Sequence, residues 1–244
     1  MTSTHILVMA SGVGPCPALA AFLARKPDTK VALITDQDSA GAKTGDRVTS
    51  IKGTFTSRAN VDAAIAKAVS TLGSIHHVVM SAVPARALQP GDIASMPYST
   101  WSESSHAPIK AVLYGLQASA THLSNGGTIT LLGPTVSLVG AERLLPLCTA
   151  VEAQRSLLKS AARQWGARGI RLNWVAVASA SFASELANQP LPQVPELGPP
   201  PPALKQNIDI ETDLAPVVAF LGSEGARAMT GMTINIDGGD WMVP

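Results

Sequence analysis

Thr135, Ser137, Thr149, Glu152 and Lys159 bring hydroxyls, a carboxylate and an amine into one short stretch of the chain. Such hydroxyls could polarise a carbonyl or attack one, but only beside a base that takes their proton. On a helix Glu152 would project about 100° from its neighbour Val151, with Lys159 two turns further on. Tyr98 and Tyr114 are the only tyrosines. The five histidines (His5, His76, His77, His106 and His122) show no metal-ligand spacing with Cys, Asp or Glu. No Ser-His-Asp set follows from spacing alone. A second group suggests a different chemistry. Gly12 and Gly14 follow an apolar run, and Asp36 ends the next one. A glycine turn after a strand lets the backbone approach a pyrophosphate, and an acid ending the following strand can hold a ribose hydroxyl. Gly12, Gly14 and Asp36 are therefore the candidate nucleotide contacts. Asp36-Gln37-Asp38-Ser39 also reads as a solvated turn. Pro15 and Pro17 each lack an N–H that could have met a phosphate.

These residues need elements to position them. Short apolar runs predict buried strands over residues 5–9, 30–35, 76–81, 128–132, 171–178 and 232–236. Helical spacing predicts helices over 17–25, 61–72, 111–123, 149–164 and 214–221, the last with Thr212 as its N-cap. Alternation of this kind implies an α/β fold, a doubly wound, mostly parallel sheet with helices on both faces. No internal repeat is present, and residues 1–244 read as a single domain. The proline-rich stretch at about 185–205, which includes Pro199–Pro202, reads as a surface loop or as an arm touching a partner.

Composition narrows the function classes. The chain has 244 residues, 46% hydrophobic and 14% charged, with a net charge of +1. That supports a large core and leaves no electrostatic footprint for nucleic acid or an anionic membrane. No apolar run is long enough to span a bilayer, and the N-terminus lacks the basic start of a signal peptide. Cys16 and Cys148 alone point to a reducing, cytoplasmic setting without disulfides. Each reads as a small buried hydrophobe.

The segment 157–173, which ends Gly169-Ile170-Arg171-Leu172-Asn173, resembles the long helix, glycine turn and strand of short-chain dehydrogenases/reductases. Phe220-Leu221-Gly222-Ser223 and Thr230-Gly231, followed by Asp237-Gly238-Gly239, resemble that family's C-terminal ending. The resemblance implies a seven-stranded Rossmann-like sheet. It also implies a Tyr-x-x-x-Lys pair 22 residues before Gly169, where Tyr donates a proton to the reacting carbonyl and Lys lowers its pKa. Here those places hold Leu147 and Val151. The family's Ser, 13 residues earlier, falls on Pro134, and its helix Asn, seven residues after Trp101, falls on Pro108. Of the three glycines in T-G-x-x-x-G-x-G only Gly14 is in register, with Met9, Ala10 and Cys16 at the other places. Thr54 stands where an Asp would hold the adenine amino group. Met80-Ser81-Ala82-Val83 replaces N-N-A-G, and Val177-Ala178 replaces P-G.

The chain is thus expected to be a catalytically inactive subunit that holds no cofactor and assembles with an active paralogue. A homodimer or homotetramer is the other assembly expected, since symmetric interfaces built from the same elements permit either. The alternatives are an NAD(H)-dependent oxidoreductase with relocated catalytic groups, or an enzyme of the same fold with non-redox chemistry.

Overall fold

The structure is a computed structural model that describes residues 4–37, 47–187 and 202–242. In chain order the main elements are β1 (Thr4–Gly12), α1 (Cys16–Leu23), β2 (Thr29–Thr35), β3 (Val48–Lys52), α2 (Arg58–Leu72) and β4 (Ile75–Val83). A short helix, α3 (Tyr98–Trp101), leads through a π-helical turn (Ser102–His106) into α4 (Ala107–His122). There follow β5 (Leu123–Pro134), α5 (Val136–Val139), α6 (Leu145–Trp165), β6 (Arg171–Val177), α7 (Ser179–Phe182), α8 (Ala215–Leu221) and β7 (Thr233–Ile236).

The seven strands form one sheet in the order β3-β2-β1-β4-β5-β6-β7, with every pair parallel. Parallel strands need crossovers, and the helices that supply them cover both faces. The central strands are accordingly apolar throughout: Ile6 to Ala10, Val31 to Ile34 and Val78 to Met80 are all buried. Strand order reverses between β1 and β4, so a crevice opens at their C-terminal ends. The α/β doubly wound expectation holds.

Helix α6 shows why its stretch of sequence is a helix. Leu147, Ala150, Val151, Gln154, Leu158, Ala161 and Ala162 recur three or four residues apart and are buried, while Lys159 and Arg163 stay in water. Each fully buried leucine contributes roughly 1.5–3 kcal/mol. The turn into β6 places Gly169 in the left-handed region (φ 70°). Arg168 then ties that turn to the carbonyls of Ala120 and Leu123, at the end of α4 and the start of β5.

Two expectations about elements change. β3 was not among the predicted strands. Its residues Val-Thr-Ser-Ile-Lys lie on an edge, and only Ile51 is buried, so the strand carries almost no apolar signal. The helix near the C-terminus is not capped by Thr212. Asp209 does this, accepting from the N–H groups of Glu211 and Thr212 at 2.8 Å each, and a π-helical turn (Ile210–Leu214) precedes α8. These bonds to the carboxylate hold the Asp209 pKa below its usual value. Most of the proline-rich stretch lies outside the described residues.

Candidate functional site

The crevice beyond β1 and β4 brings together all three candidate nucleotide contacts. Gly12 ends β1 with φ +78°, and a Cβ built on it would stand 2.1 Å from the Val83 carbonyl oxygen. Val13 donates its N–H to that same oxygen at 2.8 Å. Glycine is required there because the turn presses backbone against β4. Asp36, at the end of β2, reaches back to the turn. Its carboxylate accepts from Ser11 Oγ and from the Gly12 N–H, each at 3.0 Å, and from Gln37 Nε2 at 3.2 Å. Asp36 is therefore an organised acceptor rather than a loose turn residue. Beside it opens a cavity of about 390 Å³, lined by Ser11, Thr54, Phe55, Pro84, Pro108 and Lys110 among others. Thr54, at the family's adenine position, and Pro108, at its Asn position, both face this space.

At the other end of the crevice Phe182 packs against the glycine turn. A Cβ built on Gly14 would lie 3.0 Å from the ring of Phe182 and 3.3 Å from Ser81 Oγ. Phe182 is only 3% exposed, so its ring is packed onto the glycine turn rather than lying over it in solvent. Pro15 caps α1 with no side-chain bond, and Pro17 occupies the first turn. Two of the orphan N–H donors that make a helix N-terminus an anion site are missing. Cys16, at the third glycine position, is wholly buried. Burial pushes its thiol pKa up to about 12, against the opposing hydrogen bond with Ser81. It is a packing group, as expected. Burial raises the Cys148 thiol as well.

The four family catalytic positions are set on the elements expected for them. Leu147 and Val151, one turn apart on α6, are 1% and 0% exposed. Val151 packs against the end of β5: its Cγ1 lies 2.9 Å from a Cβ built on Gly133, and the Trp174 ring crowds the same point at 2.2 Å. Pro134 is the last residue of β5 and is buried. The ends of β5 and β6 are laced together by Ser179, whose Oγ accepts from the Val136 N–H at 3.0 Å and contacts Thr135 Oγ1 at 3.1 Å. None of these groups is a base.

Spacing alone did not reveal one polar pair. Ser137 Oγ donates to Glu152 Oε1 at 3.0 Å, and Arg155 holds the other carboxylate oxygen through its Nε at 2.8 Å. Helix phase had turned Glu152 away from Val151, and the short helix α5 brings Ser137 round to meet it. Two further residues carried no sequence signal. Phe182 matters only through its contact with Gly14. Gln154 is buried in α6 and donates to the Ala82 carbonyl at 2.9 Å, bridging helix to β4. Among the described residues no group of three His, Cys, Asp or Glu could hold a metal.

The family profile described as enoyl-(acyl carrier protein) reductase matches residues 20–240. The chain belongs to the short-chain dehydrogenase/reductase family. It is 29% identical over 190 residues to a 3-oxoacyl-[acyl-carrier-protein] reductase of Staphylococcus aureus, an alignment covering 75% of this chain and 72% of that one. It is 27% identical over 249 residues to 2-(S)-hydroxypropyl-CoM dehydrogenase 3 of Xanthobacter autotrophicus, covering 96% and 95%. Among solved structures it is similar to a 3-ketoacyl-(acyl-carrier-protein) reductase of Brucella melitensis complexed with NADH. That match has a TM-score of 0.82 and 19% identity, covering 99% of each chain. The chain is thus a short-chain dehydrogenase fold within an oxidoreductase family. No helix among the described residues is long and apolar enough to cross a membrane.

Set against a nicotinamide dinucleotide, the crevice fits one end. Asp36 and the cavity beside it suit a nucleoside. The prolines, Phe182 and the apolar positions 147 and 151 do not suit the pyrophosphate and nicotinamide.

Proposed function

We propose that this member of the family performs no hydride transfer by the tyrosine–lysine route and serves as a structural or regulatory subunit beside an active short-chain dehydrogenase. The observation that carries this reading is the apolar packing of Leu147 and Val151 at the two positions that would protonate the carbonyl and steady the cofactor. A buried leucine donates no proton, and a buried valine lowers no pKa. The partner surface is supported by elements at the far end of the sheet. β7 ends the strand order, and among the described residues no strand pairs with its outer edge; Phe220 on α8, Met232 before β7 and Met242 after it are exposed. Exposed apolar groups around an open strand edge favour association with another chain.

A second reading is supported more directly by the relatives. The relatives above are named as reductases or dehydrogenases, and the Brucella protein holds NADH. They lend no support to the expectation of a cofactor-free chain, and NAD(H) is retained here as a proposal. In this reading the chain is itself an NAD(H)-dependent oxidoreductase. Asp36 would select NAD(H) over NADP(H) by repelling a 2′-phosphate, and Ser137 with Glu152 would take over proton transfer. A non-redox enzyme of the same fold has no specific observation in its favour.

Purification of the tagged chain from its native cells, followed by assay of the isolated chain and of any co-purifying complex, separates the two. The first reading expects NAD(P)H-dependent reduction only from a complex that contains a homologue with an intact tyrosine and lysine. Turnover by the isolated chain would establish the second.

A further inference from the structure

We propose that the cavity beside Asp36 takes a nucleoside or nucleoside monophosphate with a free ribose diol, and that Phe182 sets this length by occupying the ground a second nucleotide would need. The proposal rests on the reading that the chain does not transfer hydride. It gives the retained half of the crevice a task of its own, the sensing of a mononucleotide.

Asp36 carries the recognition. An ionised carboxylate offers about four acceptor positions, and three donors already engage this one: Ser11 Oγ, the Gly12 N–H and Gln37 Nε2. They fix its orientation and leave capacity for a ribose hydroxyl. The same negative charge disfavours a phosphate on that ribose carbon. The adjoining cavity, about 390 Å³, lies in the range of roughly 300–1,000 Å³ typical of small-molecule sites. Phe55, Pro84 and Pro108 give it apolar walls suited to a flat base, Thr54 and Thr56 add hydroxyls, and Lys110 brings a cation.

Beyond the ribose the site is closed. Phe182 lies on Gly14, where the backbone of a dinucleotide site must be bare to accept a pyrophosphate. Pro15 and Pro17 have already removed two N–H donors from the adjacent turn. Ser179 fixes α7, and so Phe182, by its bonds to Val136 N and Thr135. A dinucleotide could bind only by its first half, with the rest left in solvent and adding nothing to affinity.

The test is calorimetric titration of the full chain with AMP, 2′-deoxy-AMP, NAD+ and NADH, repeated on Phe182→Ala, Phe182→Leu and Asp36→Asn. AMP is expected to bind at least as tightly as NAD+ or NADH. Loss of the 2′-hydroxyl should weaken binding about tenfold, and Asp36→Asn by a similar factor, as when a hydrogen bond to a charged group is removed. Either Phe182 variant should tighten NAD+ relative to AMP about tenfold or more, with Phe182→Leu serving if Phe182→Ala does not fold. Wild-type binding of NAD+ or NADH at least tenfold tighter than AMP would overturn the proposal, as would no binding of any of the four. Nicotinamide turnover by the same preparation would overturn the non-catalytic reading instead, so the two failures are told apart.

Discussion

Leu147 and Val151 do more than leave a proton donor out. Val151 is fully buried and packs, with Trp174, against Gly133, so restoring the family residues by Leu147→Tyr with Val151→Lys would bury a lysine in a tightly packed apolar site. We expect no NAD(P)H turnover from that double variant. We also expect a stability loss of several kcal/mol from the unpaired charge, read by chemical denaturation; measurable turnover would contradict the first expectation. Gly12→Ala should cost about 2–4 kcal/mol, because its Cβ would meet the Val83 carbonyl oxygen and the backbone there has φ +78°. An unchanged denaturation midpoint would contradict this. His77 is fully buried, with Nε2 2.9 Å from Thr130 Oγ1. Burial first, and nearby Arg171 second, push its pKa down from 6.5 to about 3. Burial, with His5 beside it, also lowers His76, whose Nδ1 accepts from the His5 backbone N–H. A folded pKa below the unfolded value means stability that is complete above pH 6.5 and declines as pH falls. His77 alone should withdraw about 2 kcal/mol between pH 7 and pH 5. A melting temperature flat across that window would rule this out. At this scale spacing back from Gly169 assigned positions 134, 147 and 151, which the structure sets at the end of β5 and on α6. The sequence was silent on Phe182, whose meaning lies in a contact with a residue far away in the chain.

Elements were read well where their apolar pattern was strong. Five of the six expected strands are buried runs where their apolar pattern places them, as are the long helices, while the sixth, β7, is an edge strand whose residues are only half-buried. β3 escaped because an edge strand with one buried residue leaves no such pattern. The cap at Asp209 escaped because the chain enters α8 through a π-helical turn, which shifts the helix start relative to its apolar phase. The contact of Ser137 with Glu152 needed α5, a four-residue helix too short to show periodicity. β7 provides the test at this level. Ile234 lies half-buried on the last strand of the sheet, and a charge there should disturb either packing on β6 or pairing with a partner. Ile234→Asp is expected to lower the assembly mass by analytical ultracentrifugation or to lower the melting temperature. If neither changed, β7 would not be an assembly surface.

The whole molecule keeps the sheet and crevice of a short-chain dehydrogenase, and on the proposed reading it does not reduce a carbonyl by the tyrosine–lysine route. The parallel sheet, the crevice at the strand reversal and the terminal β7 edge are all present. Buried apolar side chains, Leu147 and Val151, stand at the positions that the family resemblance assigns to the proton donor and the cation. Family membership could be read from the second half of the chain. The packing of Phe182 against Gly14 could not, since it joins two residues far apart in the chain. The most direct test of the central claim is the steady-state change in nicotinamide absorbance when the pure chain is mixed with NADH or NADPH and a panel of ketones and 3-oxoacyl thioesters. The account predicts no oxidation above the protein-free rate with any of them. Sustained oxidation that disappears in Ser137→Ala would contradict it and would establish Ser137 with Glu152 as a relocated proton-transfer pair.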